Sequence, residues 1–276
     1  MKHLFGRDVP FDGNVEDCFK NYNSKVAQIT LGPFMSKGFH AMTELEACND
    51  IPLECLIIHS SMMINLGNKK KWSVSVLQRT LNEALKYLKV KPTLKIGVVT
   101  HIGKGEDATI EGVVEQIKRL VIPEGVTLYL ENAAGQGHEL GVTLDELIEI
   151  FAELPSKIKL CIDTQHAFAA GLFAWKGQEE IEDFFETLEL YLPDRLKLIH
   201  LNDSKKTFGS RVDRHENLLN GYIWNHTGGS DDLKYLLDCL IKRKIPLILE
   251  TPNPAKDLDY ILNLYSSSDS STKMEG

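Results

Sequence analysis

TLYLENAAGQG (Thr127–Gly137) and KLCIDTQHAFAAG (Lys159–Gly171) follow one pattern. Each begins as a short apolar run, stops on a carboxylate, Glu131 or Asp163, and passes into a segment carrying further polar side chains. Apolar runs this short read as strands covered on both faces, the mark of a parallel sheet. Working outward, the same reading falls on Val26–Leu31, Leu56–Ile58, Lys95–Thr100, Thr127–Leu130, Ile158–Ile162, Leu196–Leu201 and Leu247–Leu249, with a weaker first strand at His3–Phe5. Stretches of helical period lie between them, clearest from Trp72, Thr109, Thr143 and Asp231. Two of these open on Thr109-Ile-Glu and Thr143-Leu-Asp-Glu, whose acids suit the positive end of a helix. Eight alternating units predict a single-domain α/β fold, a (β/α)8 barrel over residues 1–265, with residues 266–276 as a disordered tail. The irregular stretch Asp203–Gly229 is long for a compact domain, and such connections are usually functional.

The bulk properties agree. The chain has 276 residues, near the roughly 250 typical of such a barrel. No stretch approaches the ~18 consecutive apolar residues of a membrane span. The start, MKHLFGRDVPFDG, puts charges and a proline where an export signal has its apolar run, so a soluble intracellular protein with no membrane partner is expected. Cys18, Cys48, Cys55, Cys161 and Cys239 form no CxxC pair, which argues against disulfides or a thiolate metal site. The formal net charge of −8 weighs against a nucleic-acid partner unless the acids are metal ligands. Three divalent ions would bring it to about −2 and place the positive charge in one cleft.

Nearly every strand ends on a residue able to bind metal: His59, His101, Glu131, Asp163, His200 and Glu250. The carboxyl ends of barrel strands converge on one face, so side chains far apart in sequence would meet at its mouth. His166 follows Asp163 closely, and Asp213 and His215 lie in the long loop after the seventh strand. A lone histidine at a strand end is more often structural, but nine such groups at one end are hard to explain without a compensating cation. Five imidazoles and four carboxylates suit zinc and are too rich in nitrogen for magnesium or calcium.

The motifs resemble the endonuclease IV family, also known as AP endonuclease family 2. LENAAGQG (Leu130–Gly137), CIDTQHAFAAG (Cys161–Gly171), HLNDSK (His200–Lys205), GSRVDRHENLLNG (Gly209–Gly221) and LETP (Leu249–Pro252) are similar to that family's signatures, in its order. The resemblance implies three zinc ions: one on His59, His101 and Glu131; one on Glu131, Asp163, His200 and Glu250; one on His166, Asp213 and His215. It implies hydrolysis of the phosphodiester 5′ to abasic sites in duplex DNA, leaving a 3′ hydroxyl and a 5′ deoxyribose phosphate, with trimming of blocked 3′ ends. Glu131 as the bridge and Glu250 as the group that orients or deprotonates water would be catalytic. It also implies DNA contacts by Arg214, with Lys205, Asn202 and Gln136 as weaker candidates, and a working monomer.

Departures fall around the metal site. Met62 and Met63 stand where the family has a tyrosine and a leucine that fill the gap in the duplex; methionine is apolar enough to wedge but stacks less well. The loop after the second strand, GPFMSKGFHAM, offers Phe39 or His40 in place of an arginine, and Asp8 in GRDV (Gly6–Val9) replaces a histidine. Lys69–Lys71 could touch the duplex backbone, and Trp175 and Trp224 read as lid or packing. His3, His40, His138 and His226 find no place in the metal set. The rival readings are a sugar isomerase or epimerase of the xylose isomerase-like barrels, a lesion-binding protein without catalysis, and an ultraviolet-damage endonuclease.

Overall fold

The computed structural model describes residues 3–9, 19, 22–30, 53–68 and 71–266. Eight strands, β1 (Phe5–Val9), β2 (Val26–Thr30), β3 (Cys55–His59), β4 (Lys95–His101), β5 (Val126–Glu131), β6 (Ile158–Asp163), β7 (Leu196–His200) and β8 (Leu247–Leu249), close a barrel. All barrel pairings are parallel, and β8 returns to β1 through Phe5 opposite Leu247. Outside it run α1 (Lys71–Val90), α2 (Ile110–Lys118), α3 (Leu144–Ala152), α4 (Thr164–Ala170), α5 (Gln178–Tyr191), α6 (Gly229–Arg243) and α7 (Pro254–Ser266). The predicted (β/α)8 architecture is thus the observed one.

Alternation along the strands sorts the core into two bodies. Val26, Cys55, Ile57, Val99, Tyr129, Cys161, Leu198 and Ile248 form a small cluster of their own, while the larger apolar cluster unites the other strand faces with the helices. Two residues beyond that small cluster, in the same parity, come His59, His101, Glu131, Asp163, His200 and Glu250. Gly97 makes room for the aromatic member of the small cluster: a Cβ there would lie 2.3 Å from the Tyr129 ring. Local signals set the helix starts as expected. Thr109 accepts from Gly112 N, and Thr143 with Glu146 forms a capping box ahead of α3.

Two expectations are corrected and one alternative is decided. The first strand is Phe5–Val9, later than His3–Phe5, because its Arg7 and Asp8 break the apolar run. The tail does not begin at Ser266: α7 runs through it, Tyr265 is buried against Phe5, and its hydroxyl donates to Asp238 Oδ1 at 2.7 Å. Trp175 and Trp224 are packing and not lid, both being buried, with the Trp175 indole donating to Thr164 O. Phe39, His40, Lys69, Lys70, Cys18, Cys48 and residues 267–276 lie outside the described residues. Among the described residues, no helix is long and apolar enough to cross a membrane.

Candidate metal centre

Six barrel strands deliver one metal-binding side chain each to the mouth, and two local devices add the rest. Asp163 ends β6 and caps α4, its Oδ1 accepting from His166 N at 2.9 Å, so the capping turn holds His166 beside it. The long loop after β7 is tied down by a two-residue ribbon, Asp203–Ser204 against His215–Glu216, which lays His215 over the mouth. Buried Asp203 organises that loop by accepting from Ser204 N, Gly221 N and Ile223 N at 2.7, 3.0 and 2.8 Å. Asp213 is held by Gln136, whose Oε1 accepts from Asp213 N at 3.1 Å.

Three sets of donors result, the atoms of each lying within 4.8 Å of one another: His59, His101 and Glu131; Glu131, Asp163, His200 and Glu250; Asp163, His166 and His215. Asp213 joins the third set, its Oδ1 lying 3.5 Å from His166 Nε2 and 3.4 Å from His215 Nε2. All nine residues singled out from the sequence therefore converge. Glu131, 1% exposed, is the hub, with Oε2 at 3.2 and 3.3 Å from the Nε2 atoms of His59 and His101 and Oε1 at 2.9 Å from His200 Nδ1.

The imidazole tautomers test whether a cation fits. Nδ1 of His59, His166 and His215 lies 2.9, 3.0 and 3.2 Å from the backbone carbonyls of Ser60, Asn132 and Glu250. A carbonyl only accepts, so each Nδ1 carries the proton and each Nε2 turns a lone pair inward. Those lone pairs face carboxylate oxygens, and buried His215 Nε2 has no hydrogen-bond partner among the described residues. Acceptor facing acceptor is repulsive unless a proton or a metal stands between, and the donor set suits a metal.

Without a metal the charges sustain one another. Burial would push the Glu131 carboxyl up, but the imidazoles of His200 and His101 outweigh it and hold it well below the usual range. Glu250 is lowered by His200 in the same way, and Asp213 falls to about 2 because His166 outweighs its burial. Burial would lower His166 and His200; the Asp163 charge for the first, and Cys161, Glu250 and Glu131 for the second, raise both instead.

Three amides that sequence reasoning did not place in this role hold the donors. Asn132 binds both backbone sides of Asp163, through Oδ1 to its N–H at 2.7 Å and Nδ2 to its carbonyl at 3.3 Å. Gln28, buried in β2, lies between His200 and Glu250. Asn202, expected among the DNA contacts, is instead fully buried, donating to Asp163 Oδ2 at 2.7 Å and accepting from Glu250 N at 3.0 Å. The other candidates stand around the mouth. Met62 and Met63 are 56% and 59% exposed, Met62 reaching the metal-site pocket. Arg214 is exposed between two donors, and exposed Lys205 lies 3.9 Å from Glu216. His3 pairs with Glu54, His226 with Asp232, and neither they nor His138 enter the cluster.

A family model of xylose isomerase-like TIM barrels, that of AP endonuclease family 2, matches residues 40–265. Relatives named "Probable endonuclease 4" include one from Geobacter sulfurreducens, 35% identical over 224 residues, 76% of this chain and 71% of that protein. Another, from Staphylococcus carnosus, is 30% identical over 260 residues, 89% of this chain and 84% of that protein. Among solved structures, endonuclease IV from Thermus thermophilus superposes with a TM-score of 0.73 at 24% identity, covering 96% of this chain and 98% of its own. A D-tagatose 3-epimerase-like protein superposes with a TM-score of 0.71 at 17% identity, covering 98% and 99%. The barrel alone therefore does not separate nuclease from epimerase, whereas the sequence relatives do. With the family's motifs in order and their donors gathered at one barrel mouth, this chain belongs to the endonuclease IV family.

Proposed function

We propose that this chain is a zinc-dependent DNA-repair endonuclease that hydrolyses the phosphodiester 5′ to abasic sites in duplex DNA. The products would be a 3′ hydroxyl and a 5′ deoxyribose phosphate, and the same site would trim blocked 3′ ends. The observation that carries this reading is the convergence of three donor sets on one mouth, two of them sharing Glu131. His59, His101 and Glu131 would hold one zinc, Glu131, Asp163, His200 and Glu250 a second, and His166, Asp213 and His215 a third. Donor separations of 3.2–3.5 Å within the first and third of these sets support it. Two ligands about 2.1 Å from one tetrahedral ion stand about 3.4 Å apart. When bound, zinc supplies Lewis acidity and water acidified to a pKa of about 7.

The chain's own residues do the remainder. Glu131 is closed off from solvent, whereas the Glu250 side chain keeps 17% exposure, which suits a carboxylate that meets water and orients or deprotonates it. Met62 and Met63 stand out from the loop after β3, where apolar side chains can enter a gap in a base stack. Arg214, with Lys205 near it, offers cations to phosphate beside the third donor set. The chain acts as a monomer in this reading, because one mouth carries every donor.

A duplex carrying one tetrahydrofuran analogue tests the proposal, since that lesion cannot undergo β-elimination. Cleavage on its 5′ side with a 3′ hydroxyl, abolished by His59→Ala and Glu131→Gln, is the expected result. Zinc-loaded protein that leaves the analogue uncut would overturn the reading.

A further inference from the structure

We infer that Gln28 is a positioning residue, which selects the nitrogen that His200 presents to the metal centre and aims the Glu250 carboxylate. The inference rests on the metal-site reading above. His59, His166 and His215 are each locked by a backbone carbonyl on Nδ1 and present Nε2. His200 is reversed: its Nδ1 faces Glu131 Oε1 at 2.9 Å and Glu250 Oε2 at 3.2 Å, while its Nε2 points to Gln28 Oε1 at 3.0 Å. Its tautomer thus depends on a side chain.

The orientation of that side chain is itself determined. Gln28 Nε2 donates to Glu250 Oε1 at 2.5 Å and lies 3.4 Å from Asp8 Oδ1. Carboxylates only accept, so the amide nitrogen must lie on their side and the amide oxygen must face His200. That oxygen needs a proton, which places the proton on His200 Nε2 and the lone pair on Nδ1, toward the metal. Asp8 anchors the arrangement from β1, also accepting from Thr30 Oγ1 at 3.0 Å. The residue that departs from the family's histidine therefore secures the amide that aims two donors. Gln28 is fully buried, in the middle of its strand between apolar Ala27 and Ile29, where an amide is costly unless it is used.

Zinc retention against a graded chelator tests this without reference to turnover. The parent chain, Gln28→Met and Gln28→Glu are loaded with zinc, challenged, and assayed for metal per chain, with metal-free melting curves as a folding control. Methionine keeps the volume and removes both bonds; one zinc per chain should be lost at about 10- to 100-fold less chelator than in the parent. Glutamate can still accept from His200 but opposes Glu250 and Asp8, and should release the same zinc early. Long-range proton–nitrogen spectra of the zinc-loaded parent, which need no variant, should show His200 protonated at Nε2 and His59, His166 and His215 at Nδ1. Equal retention by Gln28→Met, or a His200 protonated at Nδ1, overturns the inference and leaves the metal centre standing. A parent chain that binds no zinc overturns both.

Discussion

Replacing Asn202 with alanine removes a side chain that joins Asp163 to the backbone N–H of Glu250. Its bond to Asp163 Oδ2 at 2.7 Å is charge-assisted, and such bonds contribute about 1.5–3 kcal/mol. Its Oδ1 accepts from Glu250 N at 3.0 Å, and stranding that partly buried N–H costs about 1–3 kcal/mol more. With the lower ends favoured where water can enter from the mouth, the loss is about 3 kcal/mol. At a slope of about 3 kcal/mol per molar urea for a chain of this size, the unfolding midpoint of the metal-free protein should fall by about 1 M. Zinc should also be released at lower chelator concentration, because two donors lose their support. Were Asn202 a DNA contact and not an internal brace, stability would stay within about 0.5 kcal/mol of the parent and only DNA affinity would weaken. That result would refute an internal bracing role for Asn202.

Further outcomes follow from the same geometry. His166 and His200 are raised in the metal-free fold, so their contribution is fully present below the unfolded value of about 6.5 and lost as pH rises through their folded values. Metal-free protein should therefore lose stability on alkalinisation. Zinc-loaded protein should lose it on acidification, because protons compete for the ligands; melting curves of both forms across pH 5–9 read the two opposite slopes. Asp213 adds stability above the unfolded value of about 3.9 that is lost as pH falls toward about 2, visible only in strong acid. Thr143→Ala removes the cap of α3 and should cost about 1 kcal/mol in urea unfolding with zinc content unchanged. Met62→Ala combined with Met63→Ala should raise KM on the lesion duplex several-fold while leaving bound zinc intact.

The barrel was legible because strands buried on both faces are written as near-continuous apolar runs, as in IKLCI before Asp163. It was least legible at β1, where Gly6, Arg7 and Asp8 carry little apolar signal and pairing with β2 and β8 completes the strand. Short α4 shows no periodicity because nearly all of it is buried, and Tyr265 reads as tail until Phe5 and Asp238 are seen beside it. The donors were readable from position, since strand ends meet at one mouth. The amides that brace them were not: Gln28 meets His200 and Glu250 across 172 and 222 residues, and no local pattern announces a buried amide. Asn202 looked like a loop residue free to meet DNA because its neighbours in HLNDSK are polar, and only burial shows which way it is spent.

A zinc titration of the metal-free chain, with cleavage of the tetrahydrofuran duplex followed at each equivalent, reads metal loading and chemistry together. Cutting should stay negligible until the later equivalents bind, reach full activity at three per chain, and leave product ends 5′ to the lesion. Full cleavage without metal or at a single equivalent, or three bound zincs with no cleavage, would contradict catalysis by a three-zinc centre.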